Sequence, residues 1–304
     1  MVLGKLFSWL SKRNDPAKLP DELWQRTIEA LPFIACLDDE TRQRLRALTE
    51  NFLAEKEFTP AGGLELTDAM SVSIAAQGCL PILNLGLNCY HGWVGIIVYP
   101  DEFVIPRTME DEFGVVHEYD EIASGEAWEG GPLIISWHDV QLAGEGYNVV
   151  IHEFAHKLDM LNGEADGVPP LPADLPRQEW EVALLAAYDD FCAKLDAAQA
   201  DSPHEPFDED LAIDPYASEA PEEFFAVATE YHFSAPDVLA GRDLEAGGTW
   251  LGITRQQRFA ALTNYRDGLH PKAGTPSRGT LVADFLTGDS TPETFITDQQ
   301  AQAE

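Results

Sequence analysis

The segment Val149–Asp159 carries the pattern His-Glu-x-x-His within a run of apolar residues. On an α-helix, residues four apart lie on the same face, so His152 and His156 can present both imidazoles to one metal ion, a geometry that suits zinc. Glu153 lies beside the first histidine, where a carboxylate can take a proton from water at the open position of the metal. The motif therefore supplies two ligands and a general base.

The residues around the motif favour a helix buried inside a domain. Most of its other positions are valine, isoleucine, leucine, alanine or phenylalanine, and Asn162-Gly163 predicts where the helix ends. Two hydrogen-bonded histidines on a core helix, with a surface glutamate between them, are the alternative without a metal. The apolar context and the ligand spacing together favour the metal site.

The continuation of the motif narrows the choice of a third ligand. A metzincin would have glycine and histidine at the positions that Asp159 and Asn162 occupy, so that class is excluded. Asp159 shares a helix face with the two histidines and can accept the second N–H of one of them. A helix-end aspartate with a local hydrogen bond is the equal alternative.

A second helix carrying a carboxylate is the other common solution, and the sequence predicts one at Ser218–His232. Ser218 can cap this helix and Pro221 suits its first turn. Glu223 and Glu230 are seven apart and share a stripe, with Glu223 the better ligand candidate and Glu230 the better partner for a ligand histidine. Acidic residues in a first turn also complement the helix dipole, so spacing alone leaves the role of Glu223 open.

Two segments, Asn148–Asp159 and Pro221–Val227, resemble the Mlc titration factor A family of bacterial zinc metallopeptidases. The resemblance extends more loosely from about residue 19 to about residue 271, and it includes Phe113–Glu118 and Gly125–Pro132.

The resemblance implies a gluzincin-like core in which His152, His156 and Glu223 bind one zinc ion and Glu153 is the general base. It further implies aminopeptidase-like hydrolysis of small peptides, and a regulatory role through binding a transcriptional repressor of the Mlc type. A repressor-titrating protein with secondary peptidase activity is the main alternative. A degenerate enzyme with a structural zinc is a third, but a purely structural site would have no use for Glu153.

Two further residues enter through the resemblance. Tyr216 matches a tyrosine shortly before the ligand-bearing helix, where a phenol can donate a hydrogen bond to the developing oxyanion. A partly buried loop tyrosine is the alternative. His117, on a segment rich in strand formers, matches a histidine that can approach the zinc as a fourth ligand in a resting state. A histidine that lines the cleft without binding metal is the alternative.

Composition excludes several classes of function. The chain has 304 residues with 19 basic and 53 acidic side chains, a formal net charge of −34, which would repel a phosphate backbone. We therefore expect no nucleic-acid partner. Apolar runs are too short for a membrane span, and the N-terminus lacks the features of a signal peptide. Cys36, Cys79, Cys89 and Cys192 form no C-x-x-C pair, which favours reduced thiols and a cytoplasmic location.

The remaining patterns predict an α+β protein with a zincin-like core. Helical periodicity over residues 20–57 predicts a helical N-terminal flank, and short strand candidates between residues 93 and 137 predict a small, mostly antiparallel sheet before the motif helix. Residues 178–198 read as a long helix that separates the two ligand helices. We expect a short extension at residues 1–18, one metallopeptidase domain at 19–272 and a flexible tail at 273–304.

Overall fold

The structure is a computed structural model, and it describes residues 18–110, 116–144, 146–173, 175–201, 213–236, 251–253 and 259–261. Nearly all of the predicted N-terminal extension, and the whole predicted tail at 273–304, lie outside these residues. The boundaries of the single predicted domain stay a prediction.

Helices and strands are both present, as an α+β chain requires. The described α-helices are α1 (Asp21–Ala30), α2 (Pro32–Ala35), α3 (Asp39–Glu55), α4 (Asp68–Cys79), α5 (Trp137–Val140), α6 (Val149–Asp159), α7 (Arg177–Asp201) and α8 (Pro221–Ser234). The described strands are β1 (Glu57–Pro60), β2 (Gly95–Tyr99), β3 (Phe103–Glu110), β4 (Val116–Ala123), β5 (Gly125–Ala127), β6 (Leu133–Ser136), β7 (Leu251–Ile253) and β8 (Phe259–Ala261). Among the described residues, no helix is long and apolar enough to cross a membrane.

The main sheet has the strand order β1-β2-β6-β5. Strands β1 and β2 are parallel, β2 and β6 are parallel, and only β5 and β6 are antiparallel. The prediction of a mostly antiparallel sheet is therefore wrong for this sheet. The parallel pairing follows from the connections between the strands. Helix α4 lies between β1 and β2 in the chain, and the antiparallel pair β3–β4 lies between β2 and β6. Connections of this length allow the strands that they join to run parallel.

Helix α6, which carries the motif, is buried along its whole length. Asn148 caps it by accepting a hydrogen bond from the backbone N–H of Ile151 at 2.9 Å. On the face opposite the motif, Phe154 packs among Phe52, Tyr90 and Trp93 with ring centroids 5.0–5.9 Å apart. Apolar packing of this kind fixes the rotation of α6 about its axis and so the direction of its polar face.

Helix α8 begins later than the sequence predicts. Pro221 occupies its first position as expected, but Ala220 precedes the helix in an extended conformation, and Ser218 lies in a preceding 3-10 turn, where its Oγ donates to the Pro215 carbonyl at 2.8 Å. The prediction that Ser218 caps the helix is wrong, because a residue before proline disfavours the helical region and so delays the start.

Helix α8 is held by a second apolar cluster. Phe224 and Val227 of α8 are buried with Leu184 and Phe191 of α7, so the long predicted helix supports the second ligand helix. Near the end of α8, Phe233 also packs against the larger core cluster that holds α6.

Gly78 of α4 lies against the ring of Phe154 on α6. A Cβ at Gly78 would lie 2.4 Å from Cζ of Phe154. Alanine normally stabilises a helix by about 1 kcal/mol over glycine, but we expect Gly78→Ala to lower the free energy of unfolding by about 1–3 kcal/mol through overpacking. Urea denaturation measures this, and adding Phe154→Leu should recover part of the loss. Unchanged stability in the single variant would contradict the packing account.

Candidate metal centre

Three side chains from α6 and α8 converge on one point. Nε2 of His152 lies 3.1 Å from Nε2 of His156, and Oε2 of Glu223 lies 3.1 Å from the first nitrogen and 3.4 Å from the second. These are the residues among those described whose potential metal-binding atoms all lie within 4.8 Å of one another. The turn spacing on α6 brings the histidines together, and the first turn of α8 supplies the carboxylate across the helix crossing.

The donor set fits a zinc ion. Two imidazole nitrogens 3.1 Å apart repel through their lone pairs unless a proton or a cation lies between them. Oε2 of Glu223 is buried and has no hydrogen-bond partner in the part of the chain that the structure describes, so it presents a further acceptor to the same two imidazole nitrogens. Burial acts to raise the pKa of Glu223, but the two facing imidazoles hold it well below its ordinary value. Two nitrogen donors and one carboxylate oxygen are the ligands of many catalytic zinc sites.

Glu230 lies seven residues after Glu223 on α8 and fixes the orientation of His152. Its Oε1 lies 2.7 Å from Nδ1 of His152, and its Oε2 accepts a hydrogen bond from the backbone N–H of Asn148. Burial raises the pKa of Glu230, although the contact with His152 opposes that shift. A proton held on Nδ1 by this carboxylate leaves the lone pair of Nε2 facing Glu223 and His156.

Glu153 lies next to the converging ligands on α6 and is only 5% exposed. Burial raises the pKa of this carboxyl, and the imidazoles of His152 and His156 act in the opposite direction. A carboxylate accepts and returns a proton most effectively when its pKa lies near the working pH, and a raised pKa shifts it in that direction.

Tyr216 lies at the mouth of the centre, in the 3-10 turn Pro215–Ser218. Its ring centroid is 5.9 Å from that of His152, and the side chain is half exposed. Burial of the phenol, followed by the charges of Glu223 and Glu153, raises its pKa above the ordinary value. The hydroxyl therefore stays protonated at neutral pH and can donate a hydrogen bond.

Asp159 and His117 are placed differently. Oδ2 of Asp159 accepts a hydrogen bond from the backbone N–H of Gly167 at 2.8 Å. Its Oδ1 and Nδ1 of His156 are both buried and have no hydrogen-bond partner among the described residues. Burial raises the pKa of Asp159 to about 6. His117 is exposed on β4 and is not in the three-residue cluster found among the described residues. A role for Asp159 in orienting a ligand, and for His117 as a fourth ligand, stays a prediction.

Sequence reasoning missed one buried residue of the motif helix. Lys157 follows His156, and its Nζ donates to the carbonyls of Trp128 at 2.5 Å and Gly131 at 2.9 Å, in the turn between β5 and β6. Burial lowers the pKa of Lys157 to about 8. A lysine in a helix predicted to be buried was the available signal, because a buried ammonium needs acceptors that a neighbouring segment can supply.

Two crossing helices next to a small sheet carry a His-His-Glu cluster beside a buried glutamate. This arrangement is typical of a metallopeptidase. Comparison with known families agrees: the model of the glucose-regulated metallo-peptidase M90 family matches residues 6–245. The chain belongs to this family. A second model, that of Transport and Golgi organisation 2, matches residues 222–304, which is too small a part of the chain to assign it.

Curated relatives point the same way. The chain is 38% identical to Mlc titration factor A of Cronobacter sakazakii over 239 residues, 78% of this chain and 87% of that protein. It is 38% identical to Mlc titration factor A of Serratia proteamaculans over 241 residues, 78% and 88% of the two chains. The protein of the same name from Pectobacterium atrosepticum is 35% identical over 272 residues, 88% and 98%. The resemblance seen in the sequence is thereby confirmed.

Removing the charge of Glu230 should weaken metal binding. We expect Glu230→Gln to raise the dissociation constant for zinc by about 10- to 100-fold, because the amide holds the Nδ1 proton of His152 less strongly. Competition with a chromogenic chelator measures the constant. Glu222→Gln, on the same helix but outside the cluster, is the matched control. Equal zinc affinity of both variants would show that Glu230 does not support the ligand.

Proposed function

We propose that this metallopeptidase is a zinc-dependent, aminopeptidase-like hydrolase of peptide bonds. The observation that supports the proposal most directly is the convergence of His152, His156 and Glu223 within 4.8 Å of one another, with Glu153 buried next to them. Zinc would be held by those three residues, with one ion per chain. A cytoplasmic location is part of the proposal, supported by four cysteines that are all free thiols in a chain of this length.

The chain's own residues have distinct tasks in this reaction. Bound zinc supplies Lewis acidity, which activates water and polarises the scissile carbonyl. Glu153 takes the proton from the attacking water and returns it to the amine that leaves, as its raised pKa allows. Glu230 keeps the Nε2 lone pair of His152 directed at the centre. The hydroxyl of Tyr216 donates a hydrogen bond to the carbonyl oxygen of the substrate as negative charge develops on that oxygen.

The preference for an unblocked amino terminus comes from the resemblance to the family. It is the finer part of the proposal, and substrates with free and acetylated amino termini test it separately. Hydrolysis of both at equal rates would exclude the aminopeptidase reading and leave an endopeptidase with the same chemistry.

The general base gives the sharpest test of the mechanism. We expect Glu153→Gln to retain zinc and to lower kcat on aminoacyl anilides by about 10²- to 10⁴-fold, because the amide cannot accept the proton. Metal analysis and steady-state kinetics measure both quantities, with Glu222→Gln as the charge-matched control on the neighbouring helix. Full activity of the zinc-loaded Glu153→Gln variant would contradict the assignment of the base.

A second candidate function is the binding of a transcriptional repressor. The relatives from Cronobacter, Serratia and Pectobacterium are named for titration of Mlc, which supports the proposal that this chain binds a repressor of that type. The net charge of −34 would attract a partner with a basic surface. Peptidase activity would then be secondary to sequestration.

Metal dependence separates the two functions. We expect His152→Ala to lose zinc and hydrolysis, yet to retain binding of a purified Mlc-type repressor within about threefold, because the titrating surface would lie outside the metal centre. Calorimetric titration of the repressor measures the affinity. Absence of binding by wild type, under conditions in which it hydrolyses peptides, would remove this second function.

A further inference from the structure

Gly125, the first residue of β5, lies directly against the side chain of Glu153. A Cβ built at Gly125 would lie 2.4 Å from Oε1, 2.6 Å from Cγ and 2.7 Å from Cδ of Glu153. Such separations are far inside van der Waals contact, so any residue larger than glycine would occupy the volume that the carboxylate fills. The backbone of Gly125 is outside the left-handed region, and the need for glycine here is therefore steric rather than conformational.

Strand β5 has little freedom to move away from Glu153. Gly125 is paired in register with Ile135 of β6, and the carbonyl of Ser124 accepts a hydrogen bond from the backbone N–H of Ser136 at 2.8 Å. At the other end of β5, Lys157 of α6 donates to the carbonyl of Trp128. Because the strand is tied both to β6 and to α6, an added methyl group would displace the carboxylate of Glu153 and leave the strand in place.

The charged neighbours of Glu153 include the imidazoles of His152 and His156 on its own helix. The side chain is 5% exposed, yet among the hydrogen bonds and ion pairs found for the described residues its carboxylate is tied to no lysine or arginine. The wall made by the α-carbon of Gly125 therefore sets one limit on where the carboxylate can lie.

We propose that Gly125 is a positioning residue. Because it has no side chain, the carboxylate of Glu153 can occupy the space beside the metal centre that a Cβ at position 125 would fill. The proposal rests on the proposed function, since it takes Glu153 as the general base. Gly125 contacts no substrate atom in this account and acts only through Glu153.

Gly125→Ala tests the proposal, with Gly95→Ala as its matched control. Gly95 is also a strand glycine of the main sheet, and a Cβ there would meet Pro132 at an ordinary 3.5 Å. We expect Gly125→Ala to lower kcat by about 100-fold with KM within about threefold, because a base displaced by about 1 Å loses its geometry. Zinc content should stay at the wild-type value, and Gly95→Ala should keep kcat within about twofold.

Three results of the kinetic and metal analysis would overturn the proposal. One is a kcat for Gly125→Ala within about twofold of that for Gly95→Ala. Another is a rise in KM at unchanged kcat, which would place the effect on substrate binding. The third is loss of zinc, which would place the effect on the ligands.

A thermal double-mutant cycle decides the matter if wild type hydrolyses none of the substrates or if Gly125→Ala destabilises the fold. We expect Gly125→Ala to lower Tm by about 2–4 °C in the wild-type background and by less than about 1 °C in the Glu153→Ala background, where the clashing atoms are gone. Equal changes in both backgrounds would overturn the proposal. Because the cycle needs no activity, it distinguishes failure of this contact from failure of the proposed function.

Discussion

The structure depends on one constraint, the burial of several ionisable side chains where α6 crosses α8. Isolated charges in such a place would cost several kcal/mol each, so each group must face a partner. His152 meets this requirement at Nδ1, which contacts Glu230, whereas its Nε2 lies 3.1 Å from Oε2 of Glu223 and needs a cation between the two atoms when the proton is on Nδ1. The carboxylate of Glu223 in turn faces both imidazoles. A divalent cation at the same point would offset the charge of Glu223 and would accept the lone pairs of the two Nε2 atoms.

The apolar packing explains why these groups meet at all. Phe154 on α6 belongs to the larger core cluster, whereas Phe224 and Val227 on α8 belong to a smaller cluster with α7. The candidate ligands lie where α6 and α8 meet, since His152 and His156 face Glu223. Lys157 ties α6 to the β5–β6 turn as well. Side chains outside the His-His-Glu cluster thus help to set the arrangement of the three candidate ligands.

Local sequence patterns predicted the helices of this site well, but they did not predict the features that depend on contacts between distant segments. Ligand spacing and apolar periodicity located α6 and α8, and the shared stripe of Glu223 and Glu230 placed both carboxylates towards α6. Sheet direction could not be read in this way, because it depends on how α4 and the β3–β4 pair connect the strands. The start of α8 was misjudged because the effect of Pro221 on Ala220 outweighs the capping preference of Ser218. The gap at Gly125 has no periodic signal, since only the folded chain brings Glu153 against it.

Zinc-edge X-ray absorption spectroscopy on the purified protein, beside Glu223→Gln, tests the central claim most directly. The claim is that His152, His156 and Glu223 form one zinc site. We expect one zinc per chain, scattering from the imidazoles of His152 and His156 together with oxygen ligands, and a weaker or altered site in the variant. Sulfur ligands, a single imidazole, or identical spectra for the two proteins would contradict it.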